Sequence, residues 1–251
     1  MAPITPRKTT IVLVHGAFHV PWHYESLVKA LESAGWTVRF PTLPSVGSED
    51  DDTTRDVAVV RREIEEVLRE GQDVAVVMHS YGGIVGGEAV KGLAKKQSDG
   101  SESSPGVVKL VYMCAFAIPG GCSLQDLIPG GQPEPWWLPT PSGKAYTAGD
   151  SEFHFYNDFD DPDLVKSCQD HVRIQNRSAF QSKTSWEAYR EISSTYLLTE
   201  KDNAMLPESQ EKLIELGGFK EVFRIQAGHS PWLSKPEETL QAILAAIEGK
   251  R

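Results

Sequence analysis

The sequence predicts an α/β fold in which a doubly wound, mostly parallel sheet is flanked by helices and carries one inserted cap. Short runs rich in Val, Ile and Leu recur along the chain, and such runs are typical of strands buried on both faces. Segments of about ten or more residues with helical spacing alternate with these runs, which favours parallel strands. Residues 117–185 break the alternation, and this break predicts the cap.

The elements of the core follow one another in a regular order. We predict strands over residues 9–15, 36–40, 74–79, 107–113, 194–199 and 221–225, and helices over residues 22–34, 54–70, 84–94, 207–216 and 236–247. Apolar side chains recur at helical spacing in the helical segments. Gly35 and Gly71 end the first two helices, and Pro236 stands just inside the start of the last.

The segment over residues 117–185 is rich in Pro, Gly and aromatic residues and has only weak helical periodicity. It is long for a loop without structure of its own. We therefore assign residues 1–116 and 186–251 to the core and residues 117–185 to a cap. Residues 97–106 are polar and rich in Ser and Gly, a composition that predicts a flexible surface loop.

Composition excludes several classes of function. The 251 residues are enough for one large α/β domain or two small ones, and the formal net charge of −10 argues against nucleic acid or an anionic membrane surface as a partner. No run approaches the roughly 18 apolar residues of a membrane span, and the N-terminus lacks the apolar segment of a secretory signal. The three cysteines match no metal spacing, so we expect free thiols and a cytoplasmic protein. The oligomeric state is not indicated.

A serine stands at the end of the valine-rich strand over residues 74–79. Ser80 is followed by Tyr81, Gly82 and Gly83, and then by a predicted helix. Strand, sharp turn with a serine, and helix form the context of the G-x-S-x-G nucleophile elbow. Gly82 supplies the small residue that this strained turn needs, whereas Met78 occupies the position of the first glycine. Ser80 is therefore the candidate nucleophile.

Two further reactive groups follow predicted strands. Asp202 comes after the strand over residues 194–199, and His229 comes after the strand over residues 221–225. Ligands of open parallel sheets bind outside the carboxyl ends of the strands, and the order Ser, Asp, His is the one that fits the elbow motif. A histidine can take the proton of a serine hydroxyl near neutral pH, and a carboxylate can orient that histidine. Glu200 competes with Asp202 for the acid position.

Other residues near the strand ends complete the predicted site. The backbone N–H groups of Ala17 and Tyr81 are candidates to hold an oxyanion. Four aromatic side chains are candidates to contact an apolar substrate: Phe18, His19, Trp136 and Trp137.

The sequence predicts neither a metal site nor a cofactor. His15, His19 and His23 have the spacing of one helix face, but Gly16 and Pro21 disfavour a continuous helix there. His79 is expected to point away from Ser80 and to pack rather than act as its base. The glycines within residues 82–87 lack the spacing of a dinucleotide-binding motif.

Four motifs carry a family resemblance: VLVHGAFH (residues 12–19), MHSYGG (78–83), YLLTEKD (196–202) and AGHSPWLSKPEE (227–238). With them the sequence resembles the α/β-hydrolase superfamily over nearly its whole length. The most similar branch is that of small esterases and methylesterases related to plant hydroxynitrile lyases. The resemblance implies the α/β-hydrolase fold, and it implies that Asp202 rather than Glu200 is the acid.

The resemblance also bears on the reaction. Members of the lyase branch are expected to carry a hydroxyl residue directly after the first-strand histidine and a lysine directly after the catalytic histidine. This chain has Gly16 and Ser230 at those positions, which favours hydrolysis. We predict a serine hydrolase that cleaves a small or medium apolar carboxylic ester or lactone through an acyl-enzyme. Two alternatives stay open: a C–C lyase that uses the same three residues, and a ligand-binding protein on a hydrolase scaffold.

Overall fold

The computed structural model describes residues 9–96 and 104–249 of the chain. Most of the loop predicted over residues 97–106 therefore lies outside the described residues. The strands are β1 (Thr9–Val14), β2 (Val38–Arg39), β3 (Asp73–His79), β4 (Val107–Met113), β5 (Trp137–Pro139), β6 (Ala145–Ala148), β7 (Gln175–Asn176), β8 (Ser194–Thr199) and β9 (Glu221–Ile225).

Ten α-helices alternate with these strands in the described part of the chain. They are α1 (Glu25–Ser33), α2 (Thr53–Arg69), α3 (Gly82–Ala89), α4 (Ser151–Phe155), α5 (Pro162–His171), α6 (Ser178–Gln181), α7 (Ala188–Glu191), α8 (Pro207–Gly217), α9 (Pro231–Ser234) and α10 (Pro236–Glu248). Short 3₁₀-helices lie at Pro21–Tyr24, Gln125–Leu127 and Pro129–Gly131. None of the described helices is long and apolar enough to cross a membrane.

The main sheet has six strands in the order β2-β1-β3-β4-β8-β9, and every neighbouring pair is parallel. The register pairs Val14 with Met78 and His79 with Met113, so the carboxyl ends of the central strands meet at one edge. The loops that follow β1, β3, β8 and β9 leave from this edge. The prediction of a doubly wound, mostly parallel sheet is confirmed.

Alternate side chains of the sheet belong to two separate cores. Val12 and Val14 of β1 pack in the core that contains residues of α2, α3 and α8. Ile11 and Leu13 pack in the other core, with residues of α1 and α10. All four side chains are fully buried. Because each buried aliphatic side chain contributes about 1.5–3 kcal/mol, a shift of β1 by one residue would exchange the two faces, and the register is strongly specified.

Two elements of the core illustrate how the observed bounds depart from the predicted ones. The strand predicted over residues 36–40 is reduced to β2, which has only β1 as a neighbour at the edge of the sheet, and Trp36 instead buries its side chain in the core. The helix predicted over residues 84–94 begins at Gly82 and ends at Ala89. Gly92 then has a φ of +75°, a left-handed conformation that ends helices.

Residues 117–185 contain a second, three-stranded antiparallel sheet in the order β5-β6-β7. These strands have two to four residues each, too short for an alternating pattern to appear in the sequence. Aromatic side chains hold this sheet together, since Phe180 stacks on Trp137 with ring centroids 4.2 Å apart. Phe180 also contacts Phe18 in the loop after β1. The aromatic segment therefore covers the edge at which the central strands end.

Candidate active site

Ser80 occupies a sharp turn between β3 and α3, with a φ of +52°. This left-handed conformation is strained for a residue with a side chain and costs about 1–3 kcal/mol. Three backbone hydrogen bonds hold the turn: the Ser80 carbonyl accepts from the N–H groups of Gly83 (3.0 Å) and Phe116 (3.1 Å), and the Ser80 N–H donates to Met113 (3.3 Å). The strand, the sharp turn at Ser80 and the helix that the sequence predicted are all present.

Glycines around the turn allow α3 to approach the sheet closely. A Cβ on Gly82 would lie 2.4 Å from the carbonyl oxygen of Val14, so only glycine fits there. Met78 is fully buried, and a Cβ on Gly86 would lie 2.5 Å from its sulfur atom. Gly86 on the helix thus leaves the space that Met78 fills. This packing explains why the elbow tolerates methionine at the position of its first glycine.

Asp202 lies in the turn after β8 with its side chain fully buried. Its Oδ1 accepts hydrogen bonds from the backbone N–H groups of Ala204 and Met205, both at 2.8 Å. Its Oδ2 accepts hydrogen bonds from three side chains: Thr199 (2.9 Å), Gln210 (3.3 Å) and His229 (2.8 Å). Hydrogen bonds of this number fix the orientation of a buried carboxylate.

His229 follows β9 and is only 2% exposed. Because its Nδ1–H donates to Asp202, the neutral ring presents the lone pair of Nε2. The preceding residue is also held, since the Gly228 N–H donates to Asp158 Oδ2 at 2.7 Å. Glu200 instead contacts Gln226 at the surface. The structure therefore joins His229 to Asp202 and not to the competing Glu200.

Ser80 and His229 line the same cavity, together with Ala17 and Tyr81. Within the described residues no hydrogen bond joins the Ser80 hydroxyl to the His229 ring; such bonds often tighten only when substrate is bound. The N–H groups of Ala17 and Tyr81 have no protein acceptor in this part of the chain. Both N–H groups thus stay available to a ligand.

The Tyr81 backbone is fixed by its own side chain. The ring is fully buried, and its hydroxyl donates to Asp56 Oδ2 on α2 at 2.8 Å. Asp56 also accepts the backbone N–H of Ser45 at 2.9 Å. Burial raises the pKa of the Asp56 carboxyl despite these hydrogen bonds. A side chain on α2 thereby anchors Tyr81, a residue that lines the cavity.

Aromatic side chains form most of the cavity wall. Of the four predicted contacts, Phe18, Trp136 and Trp137 line the cavity, and His19 is not among its described lining residues. His19 as a substrate contact stays a prediction: its Nδ1 lies 2.8 Å from the Ala17 carbonyl and its Nε2 lies 3.3 Å from the Tyr156 hydroxyl. Several other lining residues were not predicted from the sequence as contacts: Phe116, Leu124, Phe155, Phe180, Ala204 and Met205. The only sequence signal for Phe155 as a lining residue was its place in the aromatic-rich segment over residues 117–185.

His79 does more than pack. Its Nε2 lies 2.9 Å from the carbonyl oxygen of His229, an acceptor, so this nitrogen carries the proton. The Nδ1 therefore accepts from the Tyr24 hydroxyl (2.6 Å), which in turn accepts the N–H of Gly16 (3.0 Å). This chain of hydrogen bonds, which we name the Tyr24–His79 strut, connects the loop before Ala17 with the loop that carries His229.

Burial lowers the pKa of two histidines beside the site, His15 and His79. Desolvation lowers the pKa of His15 to about 4, against an ordinary value of 6.5. The same cause, followed by repulsion from His229, places the pKa of His79 well below 6.5. A neutral His79 is the form that the strut requires, because the protonated ring could no longer accept from Tyr24.

The ring nitrogens near the site are already used by protein groups. His15 lies 2.9 Å from the Gly16 carbonyl and accepts the Leu43 N–H at 3.0 Å, and His23 contacts the Cys168 carbonyl at 3.0 Å. Ligand atoms of His79, Cys114 and His229 lie within 4.8 Å of one another. A metal bound by these three groups would compete with the strut and with the bond to Asp202.

Comparison with known proteins places this geometry in a family. The model described as the alpha/beta hydrolase family matches residues 11–242. The chain is 34% identical over 241 residues to the alpha/beta hydrolase nvfD of Aspergillus novofumigatus, with 94% of this chain and 95% of that protein covered. It is 36% identical over 127 residues to a carbendazim hydrolyzing esterase of Nocardioides sp., a match that covers 49% of this chain and 48% of the esterase.

Solved structures show the same fold. A methylesterase, MES16 from Arabidopsis, superimposes with a TM-score of 0.75 over 96% of this chain and 99% of that chain, at 20% sequence identity. The family assignment rests on the extent of the match to the family model and on the sequence identity to nvfD. The chain belongs to the alpha/beta hydrolase family and is a hydrolase with esterases among its relatives.

Proposed function

We propose that the protein is a serine hydrolase that cleaves small or medium apolar carboxylic esters or lactones through an acyl-enzyme. The observation that carries the proposal is the buried pair of His229 and Asp202, with 2.8 Å between Nδ1 and Oδ2, beside the cavity that Ser80 lines. A serine, a histidine with a free Nε2 and an orienting carboxylate are the groups that nucleophilic acyl transfer needs.

The mechanism follows from these positions. His229 Nε2 takes the proton of the Ser80 hydroxyl as its oxygen attacks the ester carbonyl, and Asp202 stabilises the imidazolium that forms. The N–H groups of Ala17 and Tyr81 hold the oxyanion, where each such donor is worth about 10²–10³ in kcat. His229 then protonates the leaving alcohol. Water deacylates Ser80 with the same histidine as base.

The lining supports an apolar substrate. Phe18, Trp136, Trp137, Phe155 and Phe180 surround the cavity, and aromatic walls of this kind bind apolar groups. The similarity to the carbendazim hydrolyzing esterase also supports ester chemistry.

Two positions support hydrolysis over lyase chemistry. A Cβ on Gly16 would lie 2.7 Å from His79 Nδ1 and 3.1 Å from the Ser80 Cβ, so a larger hydroxyl residue there would clash with the His79 ring. Ser230, directly after His229, is fully buried and carries no charge. Both positions thus lack the groups that the lyase branch is expected to use.

The test compares the wild type with Ser80→Ala on a panel of aryl esters, alkyl esters and lactones. We expect kcat to fall by on the order of 10⁴-fold or more. Ser33→Ala, a matched change at an exposed serine of α1, should leave kcat unchanged. Unchanged ester turnover in Ser80→Ala would exclude the mechanism. Tight binding of an ester without turnover by the wild type would instead favour a binding protein.

A further inference from the structure

A second, larger cavity adjoins the one at Ser80. The cavity at Ser80, which we name the inner chamber, has a volume of about 30 Å³, and its neighbour, the outer chamber, has about 210 Å³. The outer chamber lies between α8 and the 3₁₀-helices near Leu127. Its walls are mainly aliphatic and include Leu127, Ile128, Leu206, Leu213 and Leu216.

The two chambers meet at a common wall. Five residues line both of them: Phe116, Leu124, Trp137, Ala204 and Met205. Met205 is the flexible member of this set, since an unbranched thioether chain changes rotamer readily. A molecule bound at Ser80 can therefore extend into the outer chamber when Met205 moves.

Trp137 in this wall has an unused hydrogen-bond donor. Its side chain is 7% exposed, and its Nε1–H has no acceptor among the described residues. Buried tryptophan N–H groups usually find a partner, and leaving one unsatisfied costs roughly 1–3 kcal/mol. An oxygen atom of a bound ligand is a suitable acceptor.

The volumes limit what each chamber can hold. A single water needs roughly 10–15 Å³ on this scale, so the inner chamber has room for a group of only a few atoms beside the reacting carbonyl. An apolar cavity of roughly 150 Å³ binds benzene. The outer chamber is larger than that and has mainly aliphatic walls, which suits a substituted or bicyclic ring system.

From the different volumes of the two chambers we infer that the substrate is an ester with one small and one bulky apolar part. The small part, of two or three carbons, lies in the inner chamber, and the bulky part lies in the outer chamber. An oxygen of the bound ester accepts the Trp137 Nε1–H. This inference rests on the proposed serine hydrolase, because it assumes that the carbonyl reacts at Ser80.

The first test uses esters that are bulky on one side or on both. 2-Naphthyl acetate has a small acyl part, methyl 2-naphthylacetate has a small alcohol part, and 2-naphthyl octanoate and octyl 2-naphthylacetate are their counterparts that are bulky on both sides. We expect at least one of the first two to have a kcat/KM at least tenfold above that of its counterpart, and the active member shows which part is small. Equal rates within both pairs would overturn the inference.

The second test closes the outer chamber. Ser209 is exposed, lies on α8 and lines this chamber but not the inner one. Ser209→Trp should lower kcat/KM for the preferred naphthyl ester at least tenfold and change that for ethyl acetate less than twofold. Glu208→Trp, at an exposed neighbour that does not line the chamber, is the matched control and should change neither.

The outcomes separate the two proposals. An equal loss for both esters in Ser209→Trp, or no loss for either, would overturn the chamber assignment while leaving the serine mechanism intact. No turnover of any ester by the wild type would instead refute the proposed function. Trp137→Phe keeps the ring and removes the donor, and we expect KM for the naphthyl ester to rise threefold to tenfold. An unchanged KM would remove Trp137 from the inference.

Discussion

Removal of the Tyr24 hydroxyl tests whether the Tyr24–His79 strut positions the active site. The hydroxyl is bonded to two buried groups, the N–H of Gly16 at 3.0 Å and Nδ1 of His79 at 2.6 Å. Tyr24→Phe leaves both without a partner, and each unsatisfied buried group costs roughly 1–3 kcal/mol. We therefore expect the free energy of unfolding to fall by roughly 2–6 kcal/mol.

The same change should slow the reaction. The strut holds the loop that presents the Ala17 N–H against the loop that carries His229. Loss of an oxyanion donor costs about 10²–10³ in kcat, and a displaced donor should cost less. We expect kcat of Tyr24→Phe to fall about tenfold with KM changed less than twofold.

Guanidinium denaturation and ester kinetics measure both effects, with Tyr189→Phe as the control. The Tyr189 hydroxyl is half-buried and donates to the Ile118 carbonyl at 3.3 Å, so its loss should cost about 1 kcal/mol and leave kcat unchanged. If Tyr24→Phe matches this control in both stability and kcat, the strut has no positioning role.

Two other changes test the acid residue and the buried histidines. Asp202→Asn should lower kcat by roughly 10³–10⁴-fold, because the amide would favour the wrong histidine tautomer, whereas Glu200→Gln should change kcat less than twofold; a reversed order in steady-state kinetics would exchange their roles. Burial lowers the pKa of His15 to about 4 and that of His79 well below 6.5. Below pH 6.5 the unfolded chain therefore binds more protons than the folded chain, and the free energy of unfolding decreases as the pH falls. His15 alone should account for about 3 kcal/mol of that loss between pH 6.5 and pH 4, and His171→Gln, at an incompletely buried position, should leave the loss intact. A urea midpoint that is equal at pH 7 and pH 4.5 would contradict this account.

Elements with strong local signals were predictable. The strands Val107–Met113, Ser194–Thr199 and Glu221–Ile225 have the predicted bounds, because each is a short apolar run between polar or glycine-containing turns. Parallel strands end at one edge, so the pattern also placed Ser80, Asp202 and His229 in neighbouring loops. The catalytic roles of these three residues are part of the proposed function.

Tertiary contacts decided the elements that the pattern missed. β2 is shorter than predicted because Trp36 turns into the core at the edge of the sheet. The second sheet, formed by β5, β6 and β7, has strands too short for periodicity, and its aromatic rings stack across residues distant in the chain. His19 was expected to contact substrate, and this stays a prediction; its ring lies within hydrogen-bond distance of Ala17 and Tyr156.

The sequence by itself determined the fold class and the order of the candidate reactive groups, since hydrophobic periodicity and turn residues act over a few neighbouring positions. Only the tertiary structure decided how Gly86 makes room for Met78 and how Tyr24 and His79 join two loops. It also decided the sizes of the two chambers. The physical reason is that each of these features depends on distances between side chains far apart in the chain, and such distances have no local pattern.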